Sequence, residues 1–499
     1  MTRLRFALSG ILAALAGIAS GHLVAALLNP SASPVLAIGS TVIDLTPTPV
    51  KEWAIAHFGT SDKLILQGSV FIVTLVLAGV AGILSQRRRA VGVGLVALLV
   101  VLAGAAALSR PTATALDLVP AAVTLVVGVV TLLFLLRQAD DTIPRETAGT
   151  SRRGFLLGAG GITVGALLVG IGGQLMIGAR TVASIALPKP KSPAEALPTG
   201  LETTVKGISP LQTPTATFYR VDTNLAVPQV DLDRWSLEID GMVENPFTLT
   251  FAELSAMPLI ERDITMTCVS NEVGGGYVGA ARWLGVRLMD VLDRAGLRGR
   301  PDQVLSTAVD GFTISTPLSA IQDGRDAMIA IGMNGTSLTD THGFPARLIT
   351  PGLYGFVGAT KWLTKLTLTT YAADQSYWTK RQWATDAPIK TSARIDTPAP
   401  LSTIPAGKTA IGGVAWAQHR GVAKVQVRID DGDWQETRLG PDVGIDYWRQ
   451  WYLPWDAKPG LHRLSVRAVD REGAVQTSKR ATPFPSGSSG IQEIVVTVS

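Results

Sequence analysis

Five apolar stretches crowd the first 180 residues and set the terms for the whole chain. They run over about Phe6–Leu28, Leu64–Leu84, Ala90–Leu108, Ala115–Leu136 and Phe155–Gly178. Each is long enough, or nearly so, to cross a bilayer as a helix. Each lacks charge apart from Asp117 near the start of the fourth. Arg3, Arg5, Arg87, Arg88, Arg89, Arg137, Arg145, Arg152 and Arg153 fall on one side of the implied membrane, and only Lys51, Lys63 and Arg110 on the other. Basic residues stay in the cytoplasm, so the N-terminus is expected inside and everything after the fifth span outside.

Within the spans the only histidine is His22, with His57 in an outer loop. A haem held by two histidines needs a facing pair, and none is visible. The spans carry almost no polar residues to line a transport path. The first is rich in Gly, Ala and Ser, which suits close helix packing. Anchoring, or docking of a membrane partner, is therefore the expected role. Ser151-Arg-Arg-Gly-Phe-Leu156, ahead of the glycine-rich fifth span, resembles the twin-arginine export signal, although it follows four other spans. The alternative is that Arg152 and Arg153 only hold the helix end inside.

The net charge is +5 with no basic stripe, which excludes a nucleic-acid partner. A Pro-, Ser- and Lys-containing linker covers 181–204. The region 205–394 mixes patterns. Trp235–Ile239 alternates and ends in a turn at Asp240-Gly241, Thr250–Ala256 reads as a capped short helix, and Val286–Ala295 as a helix stopped by Gly296. Lys361–Tyr371 alternates again. This is an α+β pattern rather than a doubly wound sheet. From about Ile395 to 499 short alternating strands and turns predict an immunoglobulin-like β-sandwich, with Trp416 and Trp434 in its core or at an interface.

The one cysteine, Cys268, ends the run Ile264-Thr-Met-Thr-Cys268, in which Ile264, Met266 and Cys268 share one face and Asp263, Thr265 and Thr267 the other. Gly274, Gly275 and Gly276 follow, where backbone can approach a ligand closely. A lone thiol is either an inert buried hydrophobe or a reactive, metal-binding group. The second dense segment is Asp340-Thr-His342-Gly-Phe-Pro-Ala-Arg347. Arg347 opens an apolar strand, where an unpaired charge is costly, so it calls for an anion. Lys361 precedes another apolar strand and suits phosphate as a point charge, though an exposed pairing role fits a lone lysine equally well.

Taken in order, these segments resemble the sulfite oxidase family of molybdenum–pterin oxidoreductases, in its exported bacterial branch, over about 205–499. The matching segments are Phe218-Tyr-Arg-Val-Asp222, the Cys268 loop with Asn271, Ala281-Arg-Trp-Leu-Gly285, His342-Gly-Phe-Pro-Ala-Arg347, Lys361-Trp362-Leu363 and the closing sandwich, which is similar to that family's dimerisation domain. The resemblance implies a molybdenum–molybdopterin cofactor with Cys268 as the metal ligand. It implies cofactor contacts from Phe218, Tyr219, Arg220, Asp222, Asn271, Asp310, His342, Arg347, Thr360 and Lys361, and oxygen-atom transfer as the reaction.

Departures from the family are equally informative. Substrate-binding arginines are replaced by Glu272 and Val273 after the cysteine and by Glu238 on an earlier strand, and a tyrosine near the metal by Trp383. Acids there repel an anion, so a small substrate other than sulfite is expected, with Trp383, Arg381 and Lys380 near the mouth. No haem-attachment motif or iron–sulfur cysteine set occurs, so electrons would pass to or from a separate partner, with the membrane helices, which contact lipid, as one route. A non-catalytic membrane-anchored binding or assembly protein that keeps the fold is the alternative.

Overall fold

The computed structural model describes residues 2–58, 61–111, 113–139, 150–179 and 185–499. Arg145, residues 181–184 of the expected linker, and the side chains of Lys51, Arg152 and Arg153 lie outside what is described. The chain divides into two compact units: Met1–Val182 with Thr223–Gln229, and Ala183–Asp222 with Val230–Ser499.

The first unit is helical. Its long helices are Thr2–Leu27, Asp62–Ser85, Arg89–Leu108, Val119–Ala139 and Thr150–Ala179. All five contain segments long and apolar enough to cross a membrane. The first packs against the second, fourth and fifth of these, and glycine makes that possible: a Cβ at Gly17 would sit 2.7 Å from the Thr124 carbonyl oxygen. Two shorter helices, Pro34–Leu45 and Thr48–Phe58, fill what the sequence suggested was an outer loop; Pro34 begins the first of them, where a missing N–H costs nothing. Asp117 is buried as a helix-start cap. It accepts from the Thr114 N–H at 2.7 Å and from Asn29 Nδ2 at 2.9 Å. His22 Nδ1 meets Ser33 Oγ at 3.0 Å.

The second unit holds four sheets. One runs in the order Phe247–Thr250, Ser236–Gly241, Leu363–Thr369, Gln303–Ala308, Thr313–Pro317; its second and third strands are parallel. Another is built from Leu259–Thr267, Val278–Arg287, Met328–Met333 and Thr336–Ser337, and Arg347–Ile349 pairs with Met328–Met333. Leu237, Ile239, Val286, Val291, Ile329, Leu366 and Leu368 share one buried cluster drawn from both sheets. The α+β expectation is met. The helix expected over 286–295 is shorter: strand Val278–Arg287 runs straight into helix Leu288–Ala295, so apolar spacing alone hides the junction. The short helix capped by Thr250 forms as expected, its hydroxyl accepting from the Glu253 N–H. The expected linker is not free chain. Lys191 N donates to the Leu259 carbonyl at 2.8 Å and Glu261 N to the Ser192 carbonyl at 2.9 Å, so it lies along a sheet edge.

Residues 392–498 form two further sheets. Ser392–Thr397, Gly407–Trp416, Arg449–Ala457 and Arg438–Leu439 make one; Thr403–Ile404, Gln492–Val498, Gly460–Asp470, Val422–Ile429 and Gln435–Glu436 make the other. Ile411, Trp451, Val425, Val466 and Val496 cluster between them. A third cluster joins this region to the α+β part, bringing Val269, Tyr354 and Phe356 together with Trp416, Tyr447 and Trp448. Trp416 is thus an interface residue. Trp434 is not core but stacks under Arg467, 4.2 Å from its ring centre.

Candidate functional site

Cys268 follows directly on the strand Leu259–Thr267 and is buried. The expected polar face of that strand is a buried face instead. Trp448 N donates to Thr265 Oγ1 at 2.8 Å, and Gln418 Nε2 to Thr267 Oγ1 at 3.2 Å. The sandwich covers the threonines, and hydrogen bonds satisfy them there. Beyond the strand the chain turns tightly. Asn271 N donates to the Cys268 carbonyl at 3.0 Å, Tyr277 N donates to Asn271 Oδ1 at 2.8 Å, and Ser270 N points at Sγ, 3.4 Å away. The sequence suggested that the three glycines clear room for a ligand; the space is open at Gly276 but not at Gly274 or Gly275. A Cβ at Gly274 would meet Gln492 at 2.6 Å, and one at Gly275 would meet Asn271 Oδ1 at 2.7 Å, so protein side chains fill that space. Burial pushes the Cys268 thiol pKa up; Ser270 and Lys361 act against it.

Around this thiol the fold gathers residues from four separate segments. Phe218 stacks on Tyr219 with ring centres 5.1 Å apart and meets Trp283 and His342 edge-on, each at 5.8 Å. Gly279 makes this packing possible: a Cβ there would lie 2.8 Å from the Phe218 ring. Tyr219 feels the charges of both Cys268 and Arg347, and burial raises its pKa.

Arg347 is 5 % exposed on its short strand. It donates to the His342 carbonyl at 3.2 Å and lies 5.2 Å from the Trp283 ring centre. Its Nε has no partner, and it forms no ion pair among the described residues. Burial pulls its pKa down to about 10. His342 Nδ1 meets Thr339 Oγ1 at 2.7 Å, while its buried Nε2 is unpartnered. Burial, then Arg347 and Lys361, lower its pKa to about 4, so it is neutral at pH 7. Asp222 is a buried carboxylate shared by Arg220 Nε at 2.7 Å and Lys361 Nζ at 2.8 Å. Burial lowers the Lys361 pKa to about 8, against the pull of Asp222.

Two cations thus meet Asp222, and Arg347 faces no acid among the described residues. A buried excess of positive charge with open donors suits an anionic ligand with many acceptors, such as a phosphate group on a heterocycle. The set also supplies flat aromatic surfaces and a thiol. These groups therefore fit a phosphorylated, metal-carrying pterin.

Other nominated residues take different places. Asn271 has its carbonyl oxygen engaged in the loop. Asp310 accepts from the Phe312 N–H at 3.0 Å in the turn between two strands. Thr360 is buried with its hydroxyl 2.6 Å from Ser306 Oγ. Trp383 and Arg381 belong to an aromatic group: Trp383 packs on Phe356, Trp378 and Phe484, and the Arg381 guanidinium lies 3.5 Å from the Tyr377 ring centre. Glu238 is exposed and pairs with Lys365 on the adjacent strand at 3.3 Å, so a partner within the sheet balances its charge. Trp283 and Tyr277, the latter with its ring centre 6.4 Å from that of Tyr219, join the cluster without a sequence signal, and the buried Tyr354 feels the charge of Cys268. Trp283 lies within Ala281-Arg-Trp-Leu-Gly285, but an aromatic in a strand reads as core.

The profile of the family described as an oxidoreductase molybdopterin binding domain matches residues 224–378. Mitochondrial sulfite oxidase of Rattus norvegicus is 28% identical over 313 residues, covering 53% of this chain and 57% of that protein. An NADH nitrate reductase of Oryza sativa subsp. japonica is 26% identical over 332 residues, 54% of this chain and 36% of that one. The chain spans about half the length, or less, of these relatives. An uncharacterized oxidoreductase of Bacillus subtilis, YuiH, is 31% identical over 162 residues, 32% of this chain and 79% of that protein. Among solved structures, the sulfane dehydrogenase SoxCD from Paracoccus pantotrophus shares the fold, with a TM-score of 0.51 and 24% identity over 58% of this chain and 84% of that one. The chain belongs to the sulfite oxidase family of molybdopterin oxidoreductases, and its cofactor is the molybdenum cofactor.

Proposed function

We propose that the protein is a membrane-anchored oxidoreductase that works outside the cytoplasm and transfers an oxygen atom to or from a small substrate other than sulfite. The observation that carries this reading is the buried, acid-free Arg347 beside His342, Lys361 and Cys268. Cys268 would hold the metal through sulfur, since a metal-bound thiol is deprotonated outright and burial then favours the neutralised pair. Arg347, His342, Lys361 and Arg220 would hold the phosphate-bearing pterin, with Phe218, Tyr219 and Asp222 beside it and Asn271, Asp310 and Thr360 behind. The bound cofactor supplies two-electron redox chemistry coupled to oxygen transfer. Neutral His342 offers a donor or acceptor without adding charge, and Phe218 and Trp283 exclude water from one side.

The five apolar helices support the anchor. Under this reading 1–180 is the membrane region, 181–204 the connector, 205–394 the cofactor domain and 395–499 an immunoglobulin-like domain that pairs two copies. Export in a folded state through the Ser151–Leu156 signal would let the cofactor be inserted first. Electrons would pass to or from a separate carrier. Glu272 and Trp383 argue against sulfite: one adds negative charge on the cysteine loop, and the other has no hydroxyl. Glu238, paired with Lys365, no longer contributes to that argument.

The test is to purify the whole chain in detergent from cells grown with molybdate, assay molybdenum, and screen sulfite, sulfoxides and N-oxides with reduced viologen or ferricyanide. About one molybdenum per chain, lost in Cys268→Ser, is expected together with no sulfite turnover. A chain without molybdenum or pterin would overturn the reading.

A further inference from the structure

Strand Leu259–Thr267, which leads into Cys268, lies at the edge of its sheet, with Val278–Arg287 paired on one side. The linker covers the start of its other side. Two loops of the sandwich, 417–421 and 444–448, cover the end. Thr265 N donates to the Asp446 carbonyl at 2.9 Å, and Trp448 N to Thr265 Oγ1 at 2.8 Å. Gln418 Nε2 donates to Thr267 Oγ1 at 3.2 Å. An edge strand held by few bonds opens locally, so these contacts decide whether the strand end stays in place.

His419 joins the two loops. Its backbone N–H donates to the Ile445 carbonyl at 3.2 Å, and its Nδ1 lies 3.6 Å from Asp446 Oδ1. That carboxylate oxygen is buried and has no hydrogen bond. On its other side, His419 Nε2 lies 4.0 Å from Asp323 Oδ2, just past the helix Leu318–Gln322. A Cβ at Gly352 would lie 2.9 Å from the His419 Cβ, so the loop after Arg347–Ile349 packs here too. Arg325 is the cation nearby, held by Asp323 and the Pro351 carbonyl. Arg420, on the same loop as His419, turns to Asp470 instead. Asp446 above all, with a smaller push from Asp323, raises the His419 pKa against burial and Arg325.

We propose that His419 is a positioning residue for Cys268: its charged imidazole ties Asp446 to the loop of Gln418, and both then grip the strand end. The proposal rests on Cys268 as the metal ligand. It adds a group outside the cofactor cluster that fixes where the sulfur sits.

Cys268 is the only cysteine and is buried, so its reaction with dithiodipyridine reports opening of the strand end. The full chain made without molybdate serves for the measurement. His419→Asn removes the cation, and asparagine suits the left-handed backbone there, at φ 66°. Variant and wild type are compared at the same pH, so thiol ionisation cancels. His419→Asn should label about two- to fivefold faster near pH 6, the scale of a partly exposed ion pair. The excess should fade as the pH rises and the wild-type imidazole loses its proton. Asp446→Asn should behave alike. His419→Arg, which keeps its charge, should match wild type at low pH and label more slowly than wild type at high pH. Wild-type labelling in both neutral variants, or an excess that does not change with pH, overturns the proposal. Molybdenum content of Cys268→Ser made with molybdate reports separately on Cys268 as the ligand.

Discussion

Lys361 and Asp222 meet at 2.8 Å although 139 positions separate them, and both side chains are nearly buried. The contact ties the Phe218–Asp222 segment to the start of strand Leu363–Thr369. Arg220 shares the same carboxylate. A buried ion pair contributes little net stability once desolvation is counted, but breaking one side of it is costly. Asp222→Asn should therefore destabilise the chain by about 3–5 kcal/mol and raise the positive excess at the site. Chemical denaturation of the purified chain measures the first effect.

Arg347 makes the opposite prediction. Its charge is buried without an acid, so the cofactor-free chain bears its cost. Arg347→Met should leave the cofactor-free protein as stable as wild type or more stable, by up to roughly 1–3 kcal/mol. The same variant grown with molybdate should lose most of its molybdenum. Thermal melts of chain made without molybdate and metal assay of chain made with it give the two readouts. A destabilised cofactor-free variant would count against the anion-site assignment.

The His342 environment predicts a pH effect in cofactor-free chain. Its pKa is about 4 when folded against an ordinary 6.5, so between these values the unfolded chain binds more protons. Its contribution to stability is fully present above about pH 6.5 and is lost as the pH falls towards 4. Lys361 behaves alike at a higher range: with about 8 folded and an ordinary 10.5, stability rises with pH between the two. The difference in melting temperature between wild type and His342→Gln, followed from pH 4 to 7, isolates the histidine.

Gly279 tests the aromatic packing. A methyl group there would press on the Phe218 ring from 2.8 Å. Gly279→Ala should shift Phe218 and Tyr219 and lower molybdenum content, at a stability cost of about 1–3 kcal/mol for overpacking. Gly279→Ala with unchanged metal content and unchanged melting would show that Phe218 does not need that position.

Much of the architecture could be read along the chain. The apolar helices announce themselves because apolar runs of bilayer length need no partner segment to be recognised. Strands such as Val422–Ile429 and the capped helix after Thr250 are visible because side-chain period and capping are local properties. Arg347 at the head of an apolar strand announced an unmet charge, and Cys268, His342 and Lys361 stood in ordered motifs. What lay beyond reach were the relations between distant segments. Nothing local says that Thr265 and Thr267 are covered by Trp448 and Gln418, that Gly274 makes way for Gln492, or that the linker lies along a sheet edge. Glu238 looked like a substrate-site acid until the sheet register set Lys365 beside it. Trp378 and Trp383 join one aromatic group with Phe312 and Phe484 only through packing. Sequence determined which groups carry charge, rings and sulfur; tertiary structure decided which of them become neighbours, because burial and electrostatics depend on distance through space and not along the chain.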